Sequence, residues 1–222
     1  MAVALITGAG SGLGRVVARR FAAKGLGVAL VGRRQSALEE TATGLSDALV
    51  APADITDPDQ VSRALEACEA RWGRLDVVVN CAALLADAPG GLSWPHFAQV
   101  LHTNVMGAAI VSEAAVERMK PGGVIVHIGS SRMDGPTPEA LAYGASKAAL
   151  AHLMASLAVR YAPRRVRVVG LAPGWLGGPA ERVPAPLEAA ADAIQFLASR
   201  GGALFQGVML RMDGGEIVMG RR

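Results

Sequence analysis

The chain has 222 residues, 51% of them apolar and 18% charged, which is enough apolar material for one sizeable core and too much for a disordered segment. With 22 basic and 19 acidic residues the net charge is +3, two of the arginines are terminal (Arg221 and Arg222), and no basic stripe is visible, so nucleic acid is not an expected partner. No run approaches the roughly eighteen consecutive apolar residues of a membrane span, and none is expected.

In chain order, short aliphatic runs alternate with longer helical patterns. The first run, Val3–Ile6, begins almost at the start of the sequence, so no signal peptide is expected. A helix is expected over Gly12–Lys24, a strand at Val28–Val31 and a helix over Gln35–Leu45. A strand at Leu49–Ala51 precedes a helix over Asp57–Trp72, with Asp57 as N-cap and Pro58 at the first helical position. A strand at Val77–Val79 and one long helix over Trp94–Met119 follow. Then come a strand at Val124–Ile128, a helix over Tyr143–Tyr161, a strand at Val166–Leu171, a helix over Leu187–Ser199 and a last strand at Val208–Met212. Most of these strands are apolar throughout, as strands covered on both faces are. The alternation predicts an α/β chain: a single doubly wound Rossmann domain over 1–222, with a mainly parallel seven-stranded sheet and helices on both faces. Cys68 falls in a helix and Cys81 at a strand end, so no disulfide is expected, which fits a cytoplasmic protein.

Two stretches carry chemistry. Thr7-Gly8-Ala9-Gly10-Ser11-Gly12-Leu13-Gly14 lies between a strand and a helix, where glycines let backbone approach a pyrophosphate and the helix N-terminus offers free N–H groups. Tyr143 and Lys147 are four residues apart on one helix face, so they converge. A nearby ammonium favours phenolate, which makes the pair a tunable acid/base. The small residues Gly144, Ala145 and Ser146 between them are expected to leave space for a ligand.

Together these motifs resemble the classical short-chain dehydrogenase/reductase family, and the resemblance runs from end to end. It implies a catalytic set of Asn104, Ser130, Tyr143 and Lys147: Tyr143 as acid/base, Lys147 tuning it and holding the nicotinamide ribose, Ser130 orienting the carbonyl, and Asn104 holding a relay water. It further implies cofactor contacts from Gly8, Ser11, Gly12, Leu13, Gly14, Asp54, Ile55, Asn80, Ala82, Tyr143, Lys147, Pro173, Gly174 and Leu176. Asn80-Cys81-Ala82-Ala83 resembles the family's Asn-Asn-Ala-Gly motif with two replacements. After Pro173-Gly174 the family's threonine turn is absent and the substrate lid, around 175–186, is cut short, so the site is expected to be open.

At the end of the second strand, Gly32-Arg33-Arg34 stands where NAD-preferring sites place a carboxylate. Gly32 leaves room for a 2′-phosphate, Arg33 can pair with it as a planar fork and Arg34 adds positive charge, the alternative being two surface arginines that open a helix; NADP(H) is the expected cofactor, with NAD possible. Arg132 reads either as a solvated loop arginine or as a pocket-mouth residue favouring acidic substrates. Trp175 reads as a substrate wall or as lid packing. His96, His102, His127 and His152 fit no ligand spacing, so no metal is expected, and Cys81 lacks a base to make it a nucleophile. The expected activity is hydride transfer between NADP(H) and a carbonyl or secondary alcohol by a homo-oligomer, a tetramer or dimer, since the helix after Tyr143 is apolar on more than one face. The alternatives are a catalytically weak nucleotide-sensing protein on the same fold, or a related epimerase or dehydratase.

Overall fold

A computed structural model describes residues 1–85, 93–174 and 187–219. Seven strands form one sheet: β1 Val3–Thr7, β2 Gly27–Gly32, β3 Ala48–Pro52, β4 Leu75–Asn80, β5 Met119–Ile128, β6 Arg167–Pro173 and β7 Met209–Met212. Their order is β3-β2-β1-β4-β5-β6-β7, and every neighbouring pair is parallel. β1 and β2 pair from Val3 with Gly27, and β1 and β4 from Ala4 with Val77.

The helices are α1 Gly12–Ala23, α2 Gln35–Ala42, α3 Pro58–Trp72, α4 Trp94–Leu101, α5 Ala108–Val116, α6 Leu141–Tyr161 and α7 Leu187–Ala198. One face of the sheet is covered by α1, α2 and α7, through Val17, Phe21, Leu38, Ile194 and Leu197. The other is covered by α3, α5 and α6, through Val61, Leu65, Val111, Val116, Met154 and Leu157. This two-sided cover is why the strands are apolar at successive positions. At α3 the Asp57 side chain accepts from the N–H groups of Asp59 and Gln60, with Pro58 following, and Gly73 ends the helix in the left-handed region at φ 64°.

The helix expected over Trp94–Met119 differs from the one observed. α4 and α5 are joined by a π-helical turn over His102–Gly107, and Met119 already belongs to β5. The wider turn adds a residue without breaking the rod. It leaves Asn104 buried, while Thr103 lines the cavity described below.

Candidate active site

The strand order reverses between β1 and β4, and there the carboxyl ends of the strands open a crevice. A cavity of about 1350 Å³ runs along it, from Gly32–Arg34 past the β1–α1 turn to Ser130, Tyr143, Lys147 and Gly174.

The β1–α1 turn is shaped by what its glycines lack. Gly8 has φ +67°, and a Cβ there would lie 2.9 Å from the Ala82 backbone. A Cβ on Gly14 would meet the Gly8 carbonyl oxygen at 2.3 Å. Gly12 has open space but φ +49°, so its requirement is conformational. Ser11 caps α1 in an extended conformation without a side-chain capping bond. The first-turn N–H groups are thus left for an anion, and with Leu13 they line the cavity. This cradle fits a pyrophosphate, so the residues present suit a dinucleotide.

At one end of the cavity Gly32, Arg33 and Arg34 form the wall, and both arginines are exposed. Among the described residues neither has an ion-pair partner, whereas nearby Arg15 pairs with Glu40 at 2.9 Å. A Cβ on Gly32 would meet only Leu38, at 3.5 Å. Asp54 and Ile55 also line this end. The Asp54 carboxylate accepts from Thr56 N–H at 2.9 Å and Thr56 Oγ1 at 2.7 Å. The Thr56 N–H, more than the burial that opposes it, holds the Asp54 carboxyl below its usual range, and the charge of Arg33 adds to the effect.

At the other end, α6 presents Tyr143 and Lys147 one turn apart, with Lys147 Nζ 5.5 Å from the Tyr143 ring centroid. Lys147 is 3% exposed and donates to the Ile128 carbonyl at 2.7 Å. Burial pulls its pKa down to about 8. Tyr143 is hydrogen-bonded to Ser130, at the end of β5. Burial pushes the Tyr143 phenol above its ordinary range, while Ser130 and then the charge of Arg132 pull it partway back. In the cofactor-free chain the groups that lower Tyr143 are thus Ser130 and Arg132. The Lys147 ammonium is turned to a carbonyl and is itself weakened by burial.

Two other expected residues lie away from the cavity wall. Asn80 is not at the cavity wall; its Nδ2 donates to Ser112 Oγ at 3.2 Å inside the protein. Asn104 is also off the wall. Its amide accepts from Leu84 N–H at 2.7 Å and donates to the Leu84 carbonyl at 3.0 Å and to Ser146 Oγ at 2.9 Å. Its side chain thus ties three segments together. Nor do the small residues after Tyr143 make room for a ligand. Gly144 lets α6 rest on the Arg132 carbonyl, 3.0 Å from where its Cβ would be, Ser146 is buried in the Asn104 network, and Ala145 faces outward.

Ala82, Pro173 and Gly174 do line the cavity. The lid around 175–186, with Trp175 and Leu176, lies outside the described residues. Cys81 stands at the wall, but burial pushes its thiol up to about 12, so it is no nucleophile. Among the described residues no cluster of three or more His, Cys, Asp or Glu could hold a metal.

Ser146 was expected only to leave space, and its bond to Asn104 was missed; its signal was a small polar residue one position before Lys147 in an otherwise apolar helix. Also missed was Glu216, which pairs with Arg132 at 3.3 Å. Arg132 lines the cavity with its side chain 12% exposed, so it is not a solvated loop residue, and Glu216 balances the charge it would have offered an acidic substrate.

The fold and this site define a class of nicotinamide-dependent oxidoreductase, and the comparisons agree. Residues 2–183 match the short chain dehydrogenase family. The cis-4-hydroxycyclohexanecarboxylate dehydrogenase of Sinomonas cyclohexanicum is 32% identical, the match covering 96% of this chain and 95% of that one. The galactitol 2-dehydrogenase (L-tagatose-forming) of Cereibacter sphaeroides is 35% identical, covering 98% and 95%. A short chain dehydrogenase from Burkholderia cenocepacia, solved in complex with NADP, superposes with a TM-score of 0.89 at 28% identity over 96% of each chain. The chain belongs to the classical short-chain dehydrogenase/reductase family and is an NAD(P)-dependent member of it.

Proposed function

We propose that this protein is an NADP(H)-dependent oxidoreductase interconverting a carbonyl and a secondary alcohol. The observation that carries the reading is the Ser130–Tyr143–Lys147 group at one end of a cavity whose other end holds a glycine turn and two arginines without ion-pair partners among the described residues. The relatives named for a ring alcohol and for an open-chain polyol support the substrate class.

Gly8, Ser11–Gly14, Asp54, Ile55, Ala82, Pro173 and Gly174 would hold the dinucleotide, with Leu176 as a further proposed contact. When bound, the nicotinamide supplies or accepts the hydride. Ser130 Oγ donates to the substrate oxygen and steadies charge developing there. Tyr143 gives its hydroxyl proton to that oxygen in reduction and takes it back in oxidation. Lys147, with an ammonium that titrates near pH 8, is the next proton store behind Tyr143. Because the Asn104 amide is committed to the framework, its share in a relay falls to its backbone carbonyl in the π turn. We read 1–222 as one domain with a shortened lid, acting in the cytoplasm as a homo-oligomer. No helix among the described residues is long and apolar enough to cross a membrane.

Tyr143→Phe keeps the ring and removes the proton, so cofactor affinity should hold while kcat falls by roughly 10²–10⁴. Near-normal turnover of this variant in a panel of ketones and secondary alcohols would sink the mechanism. For the cofactor, NADP(H) should bind tighter than NAD(H). Arg33→Ala should erase most of that difference, and Gly32→Asp, which has room for its Cβ, should reverse it. Equal Kd values for the two cofactors on the native chain would refute the preference.

A further inference from the structure

Arg132 has no role in the chemistry above, yet it stands against the groups that perform it. Its backbone N–H donates to Ser130 Oγ at 3.2 Å, and its carbonyl supports α6 at Gly144, next to Tyr143. Arg132 lines the cavity and acts on Tyr143 as a positive charge. Opposite it is Glu216, from the segment after β7, with Arg132 Nη2 and Glu216 Oε1 3.3 Å apart and both side chains 12% exposed. The other oxygen of Glu216 accepts from Ser131 Oγ at 3.2 Å. Ile217, the next residue, fills the notch left by Gly135. One carboxylate from the C-terminal segment thus reaches both residues that follow Ser130.

An ion pair in open water contributes little, because solvent and salt screen it. This pair is largely withdrawn from solvent, where charges cost more and reach further. A cation placed there favours the phenolate of a neighbouring tyrosine, and a carboxylate on its far side reduces that field.

We propose that Arg132 and Glu216 form a charge couple that positions Ser130 and sets the charge balance at the Tyr143 hydroxyl. In it Arg132 favours the phenolate, while Glu216 fixes the guanidinium and moderates its field. Both are positioning residues acting through Ser130 and Tyr143, so the proposal rests on the acid/base reading of Tyr143. Among the described residues the other titratable groups around Tyr143 are few. Lys147 shares its helix. His127 on β5 and Cys81 after β4 lie within reach of the Lys147 charge, and burial keeps both uncharged in the neutral range. Glu139 is exposed at the cavity rim, and Asp134 is paired with Arg211 farther out.

The chain contains two tyrosines, Tyr143 and Tyr161, and Tyr161 is 2% exposed in the core. Tyr161→Phe therefore leaves Tyr143 as the single phenol, whose ionisation can be followed by ultraviolet absorbance in cofactor-free protein without any turnover. In that background Arg132→Met should move the midpoint to higher pH. Glu216→Gln, which keeps an acceptor for Ser131 and removes only the charge, should move it to lower pH. Each shift should be about half a pH unit or more. The pH profile of kcat, measured with Tyr161 intact, should move with the same opposed signs, and it decides the question if the Tyr161→Phe background does not fold. Unchanged midpoints, or shifts of one sign in both variants, overturn the couple. Tyr143→Phe separates the two ideas. If it stays active, the acid/base reading falls. If it is inactive and the opposed shifts are missing, only the couple falls.

Discussion

Lys147 costs the free protein stability in exchange for a function. In an unfolded chain its ammonium would titrate near its ordinary value of about 10.4, but in the fold it titrates at about 8. Below pH 8 the group is charged in both states, and the folded state bears the full burden of burying it. As pH rises from about 8 toward 10.4 the folded chain sheds the proton first and the burden fades. Lys147→Met should therefore stabilise the cofactor-free protein at pH 7 by about 1–2 kcal/mol, after allowing for the donor lost to the Ile128 carbonyl. It should abolish turnover at the same time. Urea unfolding of the two proteins checks this, and a destabilised Met variant would contradict it. The same scale shows what could be read from sequence and what could not. Tyr143 and Lys147 were visible because four residues on a helix is a local spacing. The pairing of Arg132 with Glu216 was not, because the two meet only after β7 has docked on β6. Asn80 and Asn104 were assigned to the cavity by motif, but which way a strand or a π turn points a side chain depends on the assembled framework.

Among the elements, the βαβ alternation was readable because strands buried on both faces appear as short, unbroken aliphatic runs. The π turn over His102–Gly107 left no such trace, since its residues continue a helical pattern and only its neighbours Leu84 and Ser146 show why it is there. On α6 the readable property was apolarity beyond one face, and the structure shows where the surplus goes. Ala145, Ala148, Ala149, His152, Ser156 and Val159 are exposed on the single chain, with Leu141 at the start of the helix. A face this small in its side chains suits close approach by the same helix of a second copy. The native chain should sediment as a dimer or tetramer at micromolar concentration. Ala149→Arg should shift it toward monomer without loss of helical content. A native monomer under those conditions would remove the basis for this reading.

Across the whole molecule, the buried polar residues set a limit in acid. His127 has no exposed surface, lies beside Asn80 in the β4–β5 register, and sits 3.5 Å from Ser112 Oγ through Nε2. Burial pulls its pKa down to about 3. An unfolded histidine protonates near 6.5, so as pH falls from about 6.5 toward 3 the unfolded chain takes up a proton that the folded chain refuses. Stability from this source is intact above pH 6.5 and should be lower by about 2 kcal/mol at pH 5. His127→Gln should flatten the fall between pH 7 and 5, and an unchanged slope would show that other groups control it. The strand order has a consequence in time as well as in space. β1 meets β2 through partners such as Val3 and Gly27, but meets β4 through partners such as Ala4 and Val77, across a much longer stretch of chain. Closing the longer loop costs about 1 kcal/mol more in chain entropy. The glycine turn and the Arg33 wall belong to the short loop, whereas Ser130 and Tyr143 come only after the long one has closed. During refolding, the nucleotide-binding half of the cavity should therefore assemble before the half that would do the chemistry, and the order in which the chain is synthesised favours the same sequence of events.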